Sequence, residues 1–234
     1  MKKAYEFEGV AIGFFCPPAL GDSIIAKKVF ETLIQIEPNC KIDIFYFNEK
    51  AKLYAKAFYG GNKNLNLILD VNKFSGTDIK KYDLVLNASS HSVTLNFLDE
   101  KRIYQKSPEL FQSILKIDEY NKKFIYNKDL EGVVLFQMAR SRILKTNRYT
   151  CLACGGALPI YDNKVTINLL PEWQGEFDKL GLKKYITVGS NGGNFARHLV
   201  KEWPTRYWVE FISLMKSKMP DIQVVQSGGG GGTA

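Results

Sequence analysis

A strand, a loop, a helix and a second strand follow one another without interruption near the N-terminus, and this succession constrains the fold more than any other feature of the chain. Residues 9–15, GVAIGFF, form an apolar run with no polar break, the pattern of a strand covered on both faces. PPALGDS then supplies turn-forming residues. Ile25, Val29, Leu33 and Ile36 recur at helical spacing until Glu37-Pro38 stops the helix, and KIDIFYF at 41–47 begins a second strand. Two strands joined through a helix lie parallel, because only a long crossover returns the chain to the same end of the sheet, and such crossovers are right-handed.

The alternation continues with a helix over 49–58, a strand at 65–71 (LNLILDV) and a strand at 82–87 (YDLVLN) that leads into the polar turn ASSHS. Residues 107–150 are more helical and more basic, and CLACGGALPIYDNKVTINLLPE reads as an irregular connection. The pattern then restarts. KYITVGSNGG is a strand with a Gly/Asn-rich loop, Trp208, Phe211, Ile212, Met215 and Met219 share one helical face up to Pro220, and IQVVQSGG is another strand. The expected fold class is α/β: a Rossmann-like parallel-sheet domain over 1–165, a connector over 166–184, and the start of a second Rossmann-like domain over 185–234, a span too short to complete one. Within that partial domain the apolar helix face and sheet edge lack cover, so 1–165 is expected to be the stable core. The closing run of five glycines, costly to order, is expected to be its least ordered part. A slipped guanine tract or an added linker would each produce such a run.

With 45% apolar and 24% charged residues the chain can bury a sizeable core. No run approaches the roughly 18 uncharged apolar residues of a membrane span, and Glu6 and Glu8 interrupt any leader, so the expected location is cytoplasmic. A net charge of +8 favours anionic partners. The basic residues are dispersed apart from RSRILKTNR (Arg140, Arg142, Lys145, Arg148), and no nucleic-acid-binding motif accompanies them, so no nucleic-acid partner is expected. Cys16, Cys40, Cys151 and Cys154 include a single C-x-x-C with no second pair, and neither His91 nor His198 has finger spacing. Reduced thiols and no metal site are expected.

Two motifs carry a family resemblance. LGDSIIAKKVFETLIQIEPNCKIDIF resembles the start of glycosyltransferase family 9, the heptosyltransferase-like enzymes, in which a first strand runs into Gly-Asp, a helix, a proline-ended turn and a second strand. ITVGSNGG, KEWPTRYWVEFISLM and IQVVQSGG, in that order, resemble the opening of that family's second domain. The resemblance implies a GT-B architecture, two Rossmann-like domains facing across a cleft, with the acceptor held mainly by the first and a nucleotide-sugar by the second. It also implies inverting transfer without a metal or other cofactor, ADP-heptose being one candidate donor.

Carried over residue by residue, Asp22 aligns with the general base and Lys201 with the lysine that meets the donor phosphates. A sugar hydroxyl attacks only as a base takes its proton, and a lysine stabilises the charge that grows on a departing diphosphate. Beside the base reading stands another: Asp22 as the N-cap of a helix that begins near Ser23. Lys201 can equally be a solvated lysine. Ser190, Asn191 and Gly192 either cradle phosphate with backbone N–H groups or form a plain turn. Ser89 and His91 either line the acceptor side or are merely exposed, and Arg140 and Arg142 either hold acidic glycolipid phosphates or form an exposed helix face.

The chain departs from the family where a donor-holding Asp-x-Gly-x-x-His element would follow, since it closes with VVQSGGGGGTA. The first expectation is thus sugar transfer from a nucleotide-diphosphate donor to a saccharide or glycolipid acceptor in bacterial surface-glycan (lipopolysaccharide or lipooligosaccharide) synthesis, with the inner membrane's cytoplasmic surface as a peripheral partner. The alternatives are a truncated, non-catalytic remnant or acceptor-binding module, and a nucleotide-binding α/β protein without transfer.

Overall fold

In the computed structural model the described residues are 8–73, 75, 78–88, 92–124, 139, 142–145, 147, 149, 152–160, 164–167, 169–189 and 203–226. The chain divides into two units, Met1–Leu169 and Leu170–Ala234. The first contains β1 (Ala11–Phe15), α1 (Leu20–Ile36), β2 (Lys41–Tyr46), α2 (Glu49–Tyr59), β3 (Leu65–Asp70), β4 (Leu84–Ala88), β5 (Val93–Leu98), α3 (Glu100–Lys106) and α4 (Pro108–Phe124). Its sheet has the order β3-β2-β1-β4-β5, parallel except for β5, which runs antiparallel to β4. This is an α/β domain compatible with a Rossmann-like fold. The strand at β5 was not expected from the sequence, where the polar turn after β4 gave no hint of a returning strand.

Register places like residues on like faces. Ile12 and Phe14 of β1 pair with Ile42 and Ile44 of β2 and with Leu84 and Leu86 of β4, so one face of the sheet is a continuous aliphatic and aromatic surface. Ala26, Val29, Phe30 and Leu33 of α1 pack there with Phe58 and Tyr59 of α2 and Leu110 and Ile114 of α4. Phe14 meets Phe30 edge-on at 6.2 Å, an arrangement that suits the opposed charges of ring face and ring edge. A smaller cluster on the opposite face joins Ala11, Phe45, Tyr82 and Val85. Gly13 lies beneath that cluster, where a Cβ would come within 2.6 Å of the Phe45 ring, so the position admits nothing larger without displacing Phe45.

At the amino ends of the strands the carboxylate of the buried Asp83 joins β1 and α3. Its Oδ2 accepts hydrogen bonds from the Ala11 amide (2.8 Å) and from Lys106 Nζ (2.9 Å). Arg102 Nη2 lies 2.7 Å from Oδ1 as an ion pair whose N–H direction falls short of a hydrogen bond. Lys106 also donates to the Gly9 carbonyl at 3.0 Å. A buried charge persists only when paired and hydrogen-bonded, and this one is both.

Asp43 is buried on the smaller face. Its Oδ1 accepts from Asn66 Nδ2 (2.8 Å) and the Leu67 amide (3.0 Å), and its Oδ2 from the Tyr82 hydroxyl (2.7 Å). Burial pushes its pKa up, while the hydrogen bonds from Tyr82, Asn66 and Leu67 pull the other way. The folded chain therefore holds this proton more tightly than the unfolded chain does. The stability it contributes is present below the unfolded carboxylate pKa and is lost as pH rises through the folded one. An asparagine would keep both acceptor contacts at Oδ1 and donate to the Tyr82 oxygen. Asp43→Asn should therefore gain stability over the parent as pH rises from about 4 to about 7, as read by urea unfolding; an offset that stays constant with pH would show that ionisation of Asp43 does not burden the fold.

The second unit contains α5 (Pro171–Asp178), β6 (Tyr185–Val188), α6 (Thr205–Lys218) and β7 (Gln223–Gln226). The expected connector over 166–184 thus holds a helix, and the division between units falls at Leu169/Leu170. β6 and β7 pair in parallel, Tyr185 opposite Gln223 and Val188 opposite Gln226. Neither α5 nor α6 buries a residue, and Trp203, Tyr207 and Leu214 are exposed. Among the described residues of both units no helix is long and apolar enough to cross a membrane. A two-stranded sheet is marginal by itself. Amides of β6 and β7 should exchange with solvent at least about tenfold faster than those of β1 and β4; equal protection in native-state hydrogen exchange would show a second unit as stable as the first.

Candidate functional site

In open α/β sheets the ligand crevice lies at the carboxyl ends of the strands, where the strand order reverses. Here the chain lays β2 and β3 on one side of β1 and then returns to place β4 on the other. The reversal falls between β1 and β4, whose last paired residues are Phe15 and Asn87. The site is therefore defined by the loop from β1 into α1, by the end of β4 and by the neighbouring end of β2.

The loop from β1 is held from beneath. The Ser23 hydroxyl shares its proton between the carbonyls of Pro17 (2.7 Å) and Ala19 (3.0 Å), so the side chain of the first helical turn ties down the passage leading to it. Cys16 Sγ is buried 3.7 Å from Ser23 Oγ. Burial pushes the Cys16 thiol up to about 11, against the pull of the Ser23 hydrogen bond, which removes it as a nucleophile near neutral pH.

The helix begins earlier than expected. α1 starts at Leu20 after Ala19, an extended N-cap residue with no side-chain hydrogen bond, and Asp22 sits in the first turn. This corrects the alternative reading of Asp22 as the N-cap of a helix beginning near Ser23. Pro17 and Pro18 hold an extended approach that the helix can leave at once, and Ser23 is turned to the loop carbonyls. Asp22 is half-buried at the carboxyl edge of the sheet, on the helix that leaves β1. Further along α1, Lys28 pairs with Glu31 at 2.9 Å, and Lys27 donates to the Thr166 carbonyl with its pKa lowered, chiefly by burial.

Three aromatic rings flank the other side of this edge. Phe45 is fully buried, Phe15 leans on it at 5.1 Å, and Phe47, just past β2, stacks on Phe15 at 5.7 Å with 23° between the planes. Phe47 remains 45% exposed. Phe47 ends the apolar run KIDIFYF immediately before Asn48, whose side chain caps α2 by accepting from the Ala51 amide at 2.9 Å, and that abrupt end is the signal that could have placed the ring at the edge.

Of the other residues singled out from the sequence, Arg142 is exposed, as is Lys145, which has a left-handed φ of 50°. Ser89, His91, Arg140, Ser190, Asn191, Gly192, His198 and Lys201 lie outside the described residues, as does Cys151. Cys40 and Cys154 are buried. The described structure thus gathers Asp22, Ser23, Phe15, Phe47 and Asn87 at one edge. Comparisons with protein-family models, with curated proteins and with solved structures give no match.

Because Cys16 and Cys40 are buried, with pKa values pushed up to about 11 and about 12, iodoacetamide at about pH 8 should leave both unmodified in the folded protein and label both in urea. Rapid native labelling of Cys16, read by peptide mass spectrometry, would show that the loop above it opens.

Proposed function

We propose that the chain is an inverting, metal-independent glycosyltransferase that passes a sugar from a nucleotide-diphosphate donor to a saccharide acceptor. The observation that carries this reading is the position of Asp22, in the first turn of the helix leaving β1, at the edge where the strand order reverses. The resemblance of the Gly-Asp-helix-proline segment and of the Lys-x-Trp-Pro segment to glycosyltransferase family 9 supplies the reaction class, and with it a GT-B arrangement of the two units. In this reading the Asp22 carboxylate takes the proton of an acceptor hydroxyl as its oxygen attacks the anomeric carbon. The bond to the diphosphate breaks on the opposite side, the configuration inverts, and Lys201 with residues 190–192 meets the charge on the leaving group. Bacterial surface-glycan assembly at the cytoplasmic side of the inner membrane is the setting this chemistry suits, with a heptose as one candidate sugar.

A second reading has its own support. Among the described residues the second unit holds only two strands, and its helix α6 buries no residue, which favours an acceptor-binding module that does not complete transfer. An assay of the full chain with nucleotide-diphosphate sugars and saccharide acceptors separates the two. Under the first reading product forms with inverted configuration, and Asp22→Asn lowers turnover by about a hundredfold with the melting temperature nearly unchanged. Undiminished turnover would remove Asp22 from the mechanism, and no turnover with any donor would leave the binding module.

A further inference from the structure

The three-ring stack at the sheet edge has no role in the chemistry assigned to Asp22. Isolated exposed aromatics are ordinary on a protein surface, and exposure alone carries nothing. Three features set Phe47 apart. Its ring is braced by Phe15, which rests on the fully buried Phe45, so one ring face is fixed in place from the core outward. It stands at the carboxyl ends of the strands, where an open α/β sheet takes its ligand. Finally, Phe15 lies directly opposite Asn87 in the register of β1 and β4, and the side-chain amide of Asn87 has no hydrogen-bond partner among the described residues.

We propose that Phe47, braced by Phe15, and the amide of Asn87 form a subsite for one pyranose ring of a neutral saccharide, the ring stacking on Phe47 and its hydroxyls meeting Asn87. The inference rests on the glycosyl-transfer reading and deepens it by assigning the wall that orients the acceptor. A pyranose presents C–H bonds on its faces and hydroxyls around its rim. The C–H face is complementary to the negative face of an aromatic ring, and the rim to an amide that both donates and accepts. A bare aromatic surface would serve a lipid or a planar base equally, and the amide on the far side of Phe15, one strand over, favours the hydroxylated ring. Rigid aromatic surface also lowers the ordering cost of binding, because the stack leaves Phe47 little freedom to lose.

Saturation-transfer NMR on the full chain, with methyl α-mannopyranoside and adenosine as separate probes at millimolar concentration, tests the proposal. The expected result is saturation concentrated on the C–H protons of one face of the mannoside. Phe47→Ala and Phe47→Leu should weaken mannoside binding by about tenfold, Phe47→Tyr should preserve it, and Asn87→Ala should weaken it severalfold. Phe47 is largely at the surface, so the variants should keep the parent's circular dichroism, and the leucine variant controls for lost apolar area. Equal mannoside binding by Phe47→Ala and parent, or adenosine competing for the same ring, would overturn the proposal. Mannoside binding that depends on Phe47, without transfer in the activity assay, would keep the subsite and discard the transferase reading.

Discussion

Everything at the carboxyl edge of the sheet depends on a carboxylate at the other end. Asp83 is buried where the strands begin, and its two oxygens collect the start of β1 through Ala11 and the helix α3 through Arg102 and Lys106. Its own backbone lies between the two neighbouring strands, accepting from the Asp99 amide and donating to the Ala11 carbonyl. One residue thus sets the alignment of β1, β4 and the turn into α3. Removing the carboxylate would leave two cations facing a buried gap, a defect of about 3–5 kcal/mol by the behaviour of broken buried pairs. With the amino ends pinned, the register of β1 against β4 is fixed, and so is the pairing of Phe15 with Asn87 at the far end.

The space between those ends is filled by large rings that leave little room for adjustment. Phe14, Phe30 and Tyr59 meet on one face of β1, and Phe15, Phe45 and Phe47 on the other. Gly13 lies between the two groups because Phe45 occupies the volume a side chain would need. The Tyr59 hydroxyl is fully buried without a hydrogen-bond partner among the described residues, and burial drives its pKa well up. Packing of the ring evidently outweighs the desolvation of one hydroxyl, a loss of about 1–3 kcal/mol.

Periodicity alone revealed the parallel core, because a buried strand followed by an amphipathic helix leaves little choice of topology. The apolar runs around Ile12, Ile44, Ile68 and Leu86 all lie in strands, and Val29 and Leu33 face the sheet as their spacing requires. What was not legible depended on contacts distant in sequence. β5 follows a polar turn that masks it as a loop, and it pairs with the edge that β4 offers. The start of α1 was misjudged because Asp22 has the chemistry of a cap, whereas the helix is in fact begun by a proline-stiffened approach and a serine turned toward it. The aromatic stack joins residues 15, 45 and 47 from two strands, a proximity that only the register creates.

These two ends of the sheet divide the labour in a way that bears on both functional readings. The anchor at Asp83 uses none of the side chains at the carboxyl edge, and the cores on either face of β1 take in Cys16, Phe45, Ala88 and Phe15 there but not Asp22, Phe47 or Asn87. Under the proposed reading Asp22, Phe47 and Asn87 meet ligand, and substitutions there should alter chemistry while the scaffold stands. Among the described residues of the second unit, β6 and β7 pair with each other. Under the transferase reading, acceptor recognition belongs to the first unit and donor recognition to the second, so the two activities rest on scaffolds of unequal strength. Acceptor binding should then outlast transfer under any condition that loosens the second unit. On this account the binding module and the transferase are the same site, distinguished by whether the second unit supplies a donor to it.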